Sequence, residues 1–416
     1  MALPINRYSF FIREKCNLCG VCFNQCPALN LPLDQAREEI VKLVEGRINE
    51  SLVFKKCENC SSCDVLCTSG ANPYELILLR MYEQYVQKGI SSPARFFLPH
   101  HVPNFRTVAI SRLPKDEVSL LDSWASNTLK MKAKGEKEVV YTGCNYLVAP
   151  YAVPLNLIKG LKVIGSFGLC CGEMYYRMGL FEAFERSAED LTGYFQKLNV
   201  KKVVTVCVAC HNVISNIYPR LGIDPDFETQ YLGDWLAEKI DKGKVKVKRK
   251  LKGSTTVFDS CHGRLLGKET MENVRFVLES IGLDVVEMEH SREKGLCCGI
   301  ANTLKSQNPF NVLSAAFKRL REASATGADT LSVYCGGCLL TFATAKAVHW
   351  LSPPLHLTFE LLEEAAGYTP KVRHVERGRK ILGGTLLKIP RFLLSLRRFW
   401  FKELKPMTLT SLPPGR

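Results

Sequence analysis

Two adjacent-cysteine pairs, Cys170-Cys171-Gly172 and Cys297-Cys298-Gly299, constrain this chain more than any other feature. Each lies between an upstream single cysteine, Cys144 or Cys261, and a downstream C-x-x-C, Cys207/Cys210 or Cys335/Cys338. The stretch between Cys171 and Cys207 holds 35 residues, and that between Cys298 and Cys335 holds 36. Chance does not repeat a five-cysteine pattern so closely. The fold must gather five thiols in two places, as two copies of one metal-binding unit.

The other eight of the 18 cysteines lie in the first 67 residues. A disulfide scaffold does not account for them. The opening MALPINRYSFFIREKC lacks the basic-then-apolar secretory pattern, adjacent cysteines are poor partners for separate staples, and C-x-x-C spacing suits thiolates converging on a metal. The expected setting is the cytoplasm, with reduced thiolates. The 416 residues suffice for two to three domains. Of the net charge of +15, the segment Lys371–Arg416 contributes +10, from twelve Lys/Arg and two Asp/Glu. No nucleic-acid-binding module accompanies it, so a nucleic-acid partner is not expected. The charge points instead to a tail that meets an acidic surface, lipid or protein.

Residues 1–95 read as one helical unit, in which LDQAREEIVKLVEGRIN and PYELILLRMYEQYVQ are helices around the cysteine runs. A proline-rich and charged connector is expected over 96–136. Strands and helices then alternate through 137–240 and again through 253–368. VVY leads to Cys144, LKVIGSF to Cys170, and KKVVTV to Cys207; TTVFD, LDVVEME and TLSVY repeat the order before Cys261, Cys297 and Cys335. This predicts parallel sheets with helices on their faces, and cysteines at the carboxyl ends of strands, where such folds place ligands. The shorter approach from Cys144 to Cys170, 25 residues against 35 from Cys261 to Cys297, predicts a shortened connection in the first copy. Residues 369–416 read as a basic amphipathic tail. Lys388, Arg391, Ser395, Arg398, Lys402 and Lys405 fall on one helical face, Pro390 sets the helix start near Ile389, and aromatic residues fill the remainder. No run of about 18 apolar residues occurs, so the tail is expected to lie on a membrane or dock a partner, not to span.

Cys16, Cys19, Cys22 and Cys26-Pro27, followed by Cys57, Cys60, Cys63 and Cys67, have the spacing of a two-cluster ferredoxin. By that rule the fourth cysteine of each run crosses over. Cys16, Cys19, Cys22 and Cys67 would hold one cubane [4Fe–4S] cluster, and Cys57, Cys60, Cys63 and Cys26 the other. Thr68 stands where a second proline is usual. Structural zinc would leave the third cysteine of each run without a use. Each later set offers five thiolates, more than tetrahedral zinc or a cubane needs, and this suggests an opened or distorted cluster.

The pattern C…CCG…C-x-x-C, twice, behind a helical two-cluster unit resembles the CCG-domain iron–sulfur proteins, and most of all the heterodisulfide reductase D-type subunits. The resemblance spans about residues 10–366 and excludes the basic tail. It implies an α/β protein with one or two non-cubane [4Fe–4S] clusters, on Cys144, Cys170, Cys171, Cys207 and Cys210, and on Cys261, Cys297, Cys298, Cys335 and Cys338. It also implies an iron–sulfur oxidoreductase that reduces a small-molecule disulfide of the coenzyme M–coenzyme B type as one subunit of a complex. The partner would be a membrane cytochrome or another electron-donor subunit, with peripheral membrane attachment through the tail. The related iron–sulfur subunits of anaerobic glycerol-3-phosphate, glycolate and lactate dehydrogenases, and of membrane complexes of sulfite reduction, keep open a second reading, electron transfer to or from quinone. His211 and His262, each next to a cysteine, are candidate proton donors, with tuning of a cluster as the alternative. His290 reads as a strand-end residue, and Arg264 and Lys268 as exposed charges at a helix start, with contact to an anionic substrate as the alternative.

Overall fold

Short runs of β-branched and aromatic residues, Val139-Val140-Tyr141 and Val203-Val204-Thr205 among them, are fully buried and form central parallel strands. Such runs suit sheets covered on both faces. The computed structural model describes residues 5–99, 104–131, 137–306, 311–348, 352–395 and 397–400. In the first repeat β1 (Glu138–Tyr141), β2 (Lys162–Ile164), β3 (Lys202–Thr205) and β4 (Glu228–Tyr231) lie in the order β2-β1-β3-β4. In the second, β5 (Ser254–Phe258), β6 (Asp284–Val285), β7 (Thr330–Val333) and β8 (Leu355–Leu357) lie as β6-β5-β7-β8. Every pairing in both sheets is parallel. The fourth strand of each sheet is not foreshadowed by the sequence pattern.

This strand order decides where the cysteines go. The chain leaves β1 toward one edge and returns to the other side of it as β3, so a crevice opens beyond the carboxyl ends of β1 and β3. Cys144 follows β1 and Cys207 follows β3; Cys261 and Cys335 stand likewise after β5 and β7.

The two repeats differ in one crossover. Between β5 and β6 the chain forms two helices, Cys261–Leu266 and Lys268–Ser280, and the second packs beside β6. Between β1 and β2 only a single 3₁₀ turn, Pro150–Ala152, remains. The flank of β2 is covered instead by the helix Lys115–Lys130, which precedes the repeat. Asn127 donates to the Val163 carbonyl at 2.9 Å, and the Thr128 hydroxyl accepts from Gly165 N–H at 3.2 Å. The expected connector is thus largely helical, and its longest helix belongs to the first sheet's packing.

The tail departs from its expectation. A helix runs from His374 to Leu393 with Pro390 inside it, so the start near Ile389 is wrong. Its first half is pinned to the body. Gly378 packs so closely on the Ala343 backbone that a Cβ there would collide with it. Lys371 and Arg373 pair with Asp116, Arg373 and Arg377 with Glu117, and His374 with Glu360. The acidic surface the basic tail meets is therefore in part this protein's own. The single basic face does not form: the helix ends at Leu393, and Arg398–Phe399 pairs antiparallel with Ile90–Ser91. Lys402 and Lys405 lie outside the described residues. No helix among the described residues is long and apolar enough to cross a membrane.

Candidate metal centres and the cavity between the repeats

The N-terminal cysteines gather crosswise. Cys16, Cys19, Cys22 and Cys67 line one small cavity, and Cys26, Cys57, Cys60 and Cys63 line a second. Leu18, Asn59 and Ser61, inside the C-x-x-C loops, take left-handed backbone, which costs a non-glycine residue about 1 kcal/mol. The strained loop at Asn59 turns its N–H toward sulfur, 3.2 Å from Cys57 Sγ, and beyond the second run Ala71 N–H lies 3.4 Å from Cys67 Sγ. Burial, and then the nearby Cys60, pushes the Cys26 thiol up to about 12.

In the two later sets the second cysteine of each adjacent pair is the hub. Hydrogen bonds with Cys170 and then Cys210 hold the Cys171 thiol down at about 7. Bonds with Cys297 and then Cys338 hold Cys298 well below the usual thiol range. Their partners Cys210 and Cys338 are pushed up by the same bonds and by burial. Cys144 Sγ is 4.0 Å from Cys170 Sγ, so the short approach still brings Cys144 to its set. Gly172 and Gly299 follow the pairs at φ +78° and +106°, and a Cβ on either would press against the next helix, at Phe184 and at Val312. Their N–H groups donate to Cys170 and Cys297 Sγ at 3.4 and 3.3 Å. The third position of the motif therefore has to be glycine.

This donor set fits a multiply charged metal centre. Ionising one buried thiol makes the next harder to ionise, and only a strongly cationic group lets five become thiolates together. The cysteine clusters are thus candidate metal-binding sites on their chemistry.

Buried arginines stand beside the later sets. Arg106 lowers the cost of charge on Cys144 and Cys170. Arg177 Nη2 donates to Cys261 Sγ at 3.1 Å, and its Nη1 donates to the Asn59 carbonyl at 2.6 Å. Asn59 Nδ2 answers to the Arg177 carbonyl at 2.8 Å. One arginine thus joins the N-terminal unit, the first repeat and the second. The ferredoxin-like loop sits directly on the second set, with Cys60 near enough to Cys297 for their charges to interact. Arg264 is only 2 % exposed, and none of its guanidinium nitrogens finds a hydrogen-bond partner. The expectation that it is an exposed helix-start charge is wrong; Lys268 is exposed as expected.

His262 faces across the repeats. Its Nε2 is 2.9 Å from Glu173 and its Nδ1 is 3.2 Å from Asn212 Nδ2. Arg177 Nη2 also lies 3.0 Å from that Nε2, so the ring nitrogen stands between a carboxylate and a guanidinium. Burial, and then Arg177, lowers its pKa. Burial alone would raise Glu173, but the Arg177 charge and the His262 bond outweigh it and hold the carboxyl at about 2. His211 is different: its Nδ1 has no hydrogen-bond partner, and it stands apart from the cavity lining. His290 bonds Glu322 through its backbone N–H and its ring.

A cavity of about 150 Å³ opens at the second set, lined by Cys261, His262, Cys298, Cys335 and Cys338 together with Glu173 and Arg177 from the first repeat. Phe96, Phe97, Leu340, Ile381 and Leu382 supply much of its wall. Glu173, Arg177 and the phenylalanines are not among the residues that the sequence singles out. The first two had a signal, an i,i+4 acid–base pair starting right after Cys170-Cys171-Gly172.

The sequence profile of the cysteine-rich CCG domain matches residues 139–215 and 255–343, the two sheets that carry these sets. The chain carries two CCG domains. Among curated relatives, this CCG protein is 29% identical to the D-type subunit of the dihydromethanophenazine:CoB–CoM heterodisulfide reductase of Methanosarcina mazei, over 86% of this chain and 95% of that one. It is 25% identical to the probable iron–sulfur-binding oxidoreductase FadF of Bacillus subtilis, over 78% of this chain and 42% of that one. It is also 30% identical to the EtfAB:quinone oxidoreductase of Syntrophomonas wolfei, over 42% of this chain and 25% of that one. These relationships support a general iron–sulfur oxidoreductase activity for this CCG protein.

Proposed function

We propose that the chain is a disulfide-reducing iron–sulfur oxidoreductase, working as one subunit of a larger electron-transfer complex. The observation that carries this reading is the cavity in which four thiols of the second set meet Glu173 and Arg177 of the first repeat. Cys16, Cys19, Cys22 and Cys67, and Cys57, Cys60, Cys63 and Cys26, would each hold a cubane [4Fe–4S] cluster. The two five-cysteine sets would hold one or two non-cubane clusters. Clusters bound at these cysteines would supply electrons singly. Residues 1–95 would then be the point of electron entry, and 137–240 and 253–368 the two walls of the reaction site.

Reduction of a disulfide breaks its S–S bond, forms two S–H bonds, and consumes two electrons and two protons. An external low-potential donor provides the electrons and water the protons. The chain's own contribution is positional. The phenylalanine and leucine walls exclude bulk water, Arg177 ties the repeats together beside Cys261, and His262 meets Glu173 at the wall. The disulfide of coenzyme M and coenzyme B, named for the Methanosarcina relative, is the first substrate to test.

A second reading is electron transfer to or from quinone within a membrane-associated dehydrogenase, through a membrane cytochrome or similar subunit. The docking of the Cys57–Cys67 loop on the second set favours a through-going wire of this kind. Protein purified without oxygen separates the two. Viologen-driven disulfide reduction, with a thiol-dependent paramagnetic signal, is expected for the first. Quinone-analogue reduction without either result would overturn it in favour of the second. Zinc without iron would overturn both.

A further inference from the structure

A file of aromatic rings runs from the first five-cysteine set to the surface of the N-terminal unit. Tyr218 donates to the Cys171 carbonyl at 2.9 Å, and its ring centre lies 5.8 Å from that of Phe184. Phe184 meets Tyr176 at 5.2 Å, Tyr176 meets Phe181 at 6.5 Å, and Phe181 meets Tyr82 at 5.3 Å. Tyr82 then meets Tyr8 at 5.5 Å, beneath the exposed Arg7. Every step is a ring contact.

Packing accounts for the rings but not for what the hydroxyls touch. Tyr176 donates to Glu75, Tyr82 to Glu182 at 2.6 Å, and Tyr8 to Glu185 at 2.8 Å. Tyr141 and Tyr231, equally buried, donate to the backbone carbonyls of Leu169 and Tyr334. A carbonyl satisfies a buried hydroxyl, but only a carboxylate can also take its proton. Placing carboxylates here is costly: Glu75 is 1% exposed and has Arg220 against it. Burial, and then the neighbouring carboxylate, pushes all three phenols above their usual range. Each keeps its proton until its ring is oxidised. A phenol that loses an electron becomes a strong acid, so the electron leaves readily only where a base waits at the hydroxyl. Tyr74 also touches Tyr176, at 6.2 Å, but its hydroxyl has no hydrogen-bond partner among the described residues.

We propose that Tyr8, Tyr82 and Tyr176 form a protective relay, which passes single electrons inward to quench peroxide attacking the first cysteine set. Each phenol lends its proton to its glutamate when it gives up an electron, and regains it when the next tyrosine outward re-reduces it. Phe181, Phe184 and Tyr218 bridge the steps. The balance is that of peroxide reduction: the O–O bond of hydrogen peroxide breaks, and two electrons and two protons give two waters. The electrons come singly from an exterior donor of the ascorbate class, and the protons from solvent. Left alone, peroxide drives cysteine sulfur to sulfinic and sulfonic acids, and that loss is irreversible. The potentials of iron–sulfur centres lie well below that of a phenol, so ordinary electron transfer leaves the relay at rest. The inference needs iron at the first set but neither the disulfide nor the quinone chemistry, and stands apart from both.

The test uses the full chain with its iron, purified without oxygen, mixed with hydrogen peroxide and rapidly frozen. Electron paramagnetic resonance should show a tyrosyl radical, identified by the narrowing of its signal in protein made with ring-deuterated tyrosine. Ascorbate should quench the radical and preserve the iron. Tyr82→Phe keeps the packing and cuts the relay, so ascorbate should no longer protect and iron loss should be several-fold faster. Glu182→Gln keeps an acceptor for the Tyr82 hydroxyl but cannot take its proton, and should do the same. Tyr74→Phe should change nothing. Iron content and unfolding midpoint before peroxide show that each variant is folded. No tyrosyl radical in the unaltered protein, or equal iron loss with and without Tyr82→Phe, overturns the relay. An effect of Tyr82→Phe with none from Glu182→Gln overturns the part given to the carboxylates. Loss of protection in Tyr74→Phe overturns the route.

Discussion

Arg177 donates a hydrogen bond to Cys261 Sγ at 3.1 Å, so a residue of the first repeat holds a thiol of the second. The same guanidinium pairs with Glu173 and reaches the Asn59 carbonyl. Replacing it with methionine keeps the bulk but leaves the half-buried Glu173 without its main countercharge. Arg177→Met should cost about 3–5 kcal/mol of stability. Thermal unfolding under anaerobic conditions measures this, and an unaltered midpoint would show that the arginine does not join the three units.

Gly299 supplies the second test. Its φ of +106° and its approach to Val312 leave no room for a side chain. Gly299→Ala should destabilise by about 1–3 kcal/mol and lower the iron content of the second set while sparing the N-terminal one. Iron analysis and electron paramagnetic resonance read the two outcomes separately.

Arg264 has no hydrogen-bond partner and lowers the cost of negative charge on Cys261. A reduced metal centre carries one more negative charge, so losing the cation disfavours reduction. Arg264→Met should lower the midpoint potential of the second set by about 50–100 mV, the size of one charge interaction at an effective dielectric of about 20. A redox titration followed spectroscopically decides it, and a rise would refute the charge argument.

The anchor of the C-terminal helix is sensitive to acid. Burial alone would raise Glu360, but its bonds to His356 and His374 outweigh that and lower it from 4.5. A lowered carboxyl contributes stability that is complete above the unfolded value and is lost as pH falls through the folded one. Limited proteolysis should therefore cut near His374 faster below about pH 4.5 than at pH 7. Glu360→Gln should show the fast cleavage already at pH 7. A Gln variant that resists cleavage at both values would remove Glu360 as the anchor.

Removing residues from His374 onward should uncover the cavity wall at Leu340 and the backbone face at Ala343. Lower thermal stability is expected, together with binding of an apolar fluorescent dye. A truncated protein as stable as the full chain and indifferent to the dye would show that the helix is dispensable.

The strands before the cysteines were readable because each is a short buried run that ends at a chemically marked residue. The fourth strand of each sheet was not. Glu228–Tyr231 and Leu355–Leu357 mix polar with apolar side chains, and nothing in their composition separates them from loops. The helix Lys115–Lys130 was legible in principle, for Leu121, Trp124 and Thr128 repeat on one buried face, but the prolines before it drew the segment toward a connector. Pro390 misled for a related reason. Proline disfavours a helix interior only by local terms, and tertiary packing of Gly378 and Gly384 on neighbouring elements overrides them. The crosswise gathering of the N-terminal cysteines followed from spacing alone. The side chains around the cavity did not, because they converge from segments more than 200 residues apart.

The borrowed helix beside β2 has a consequence for how the two halves can be handled. The second repeat carries its own crossover helix and is a complete module in sequence. The first is complete only with residues that lie before its opening strand. Exchanging the halves, or excising the first at residue 137, would leave the edge of β2 bare and Asn127 and Thr128 behind. The chain has two similar sheets, but only one of them is portable.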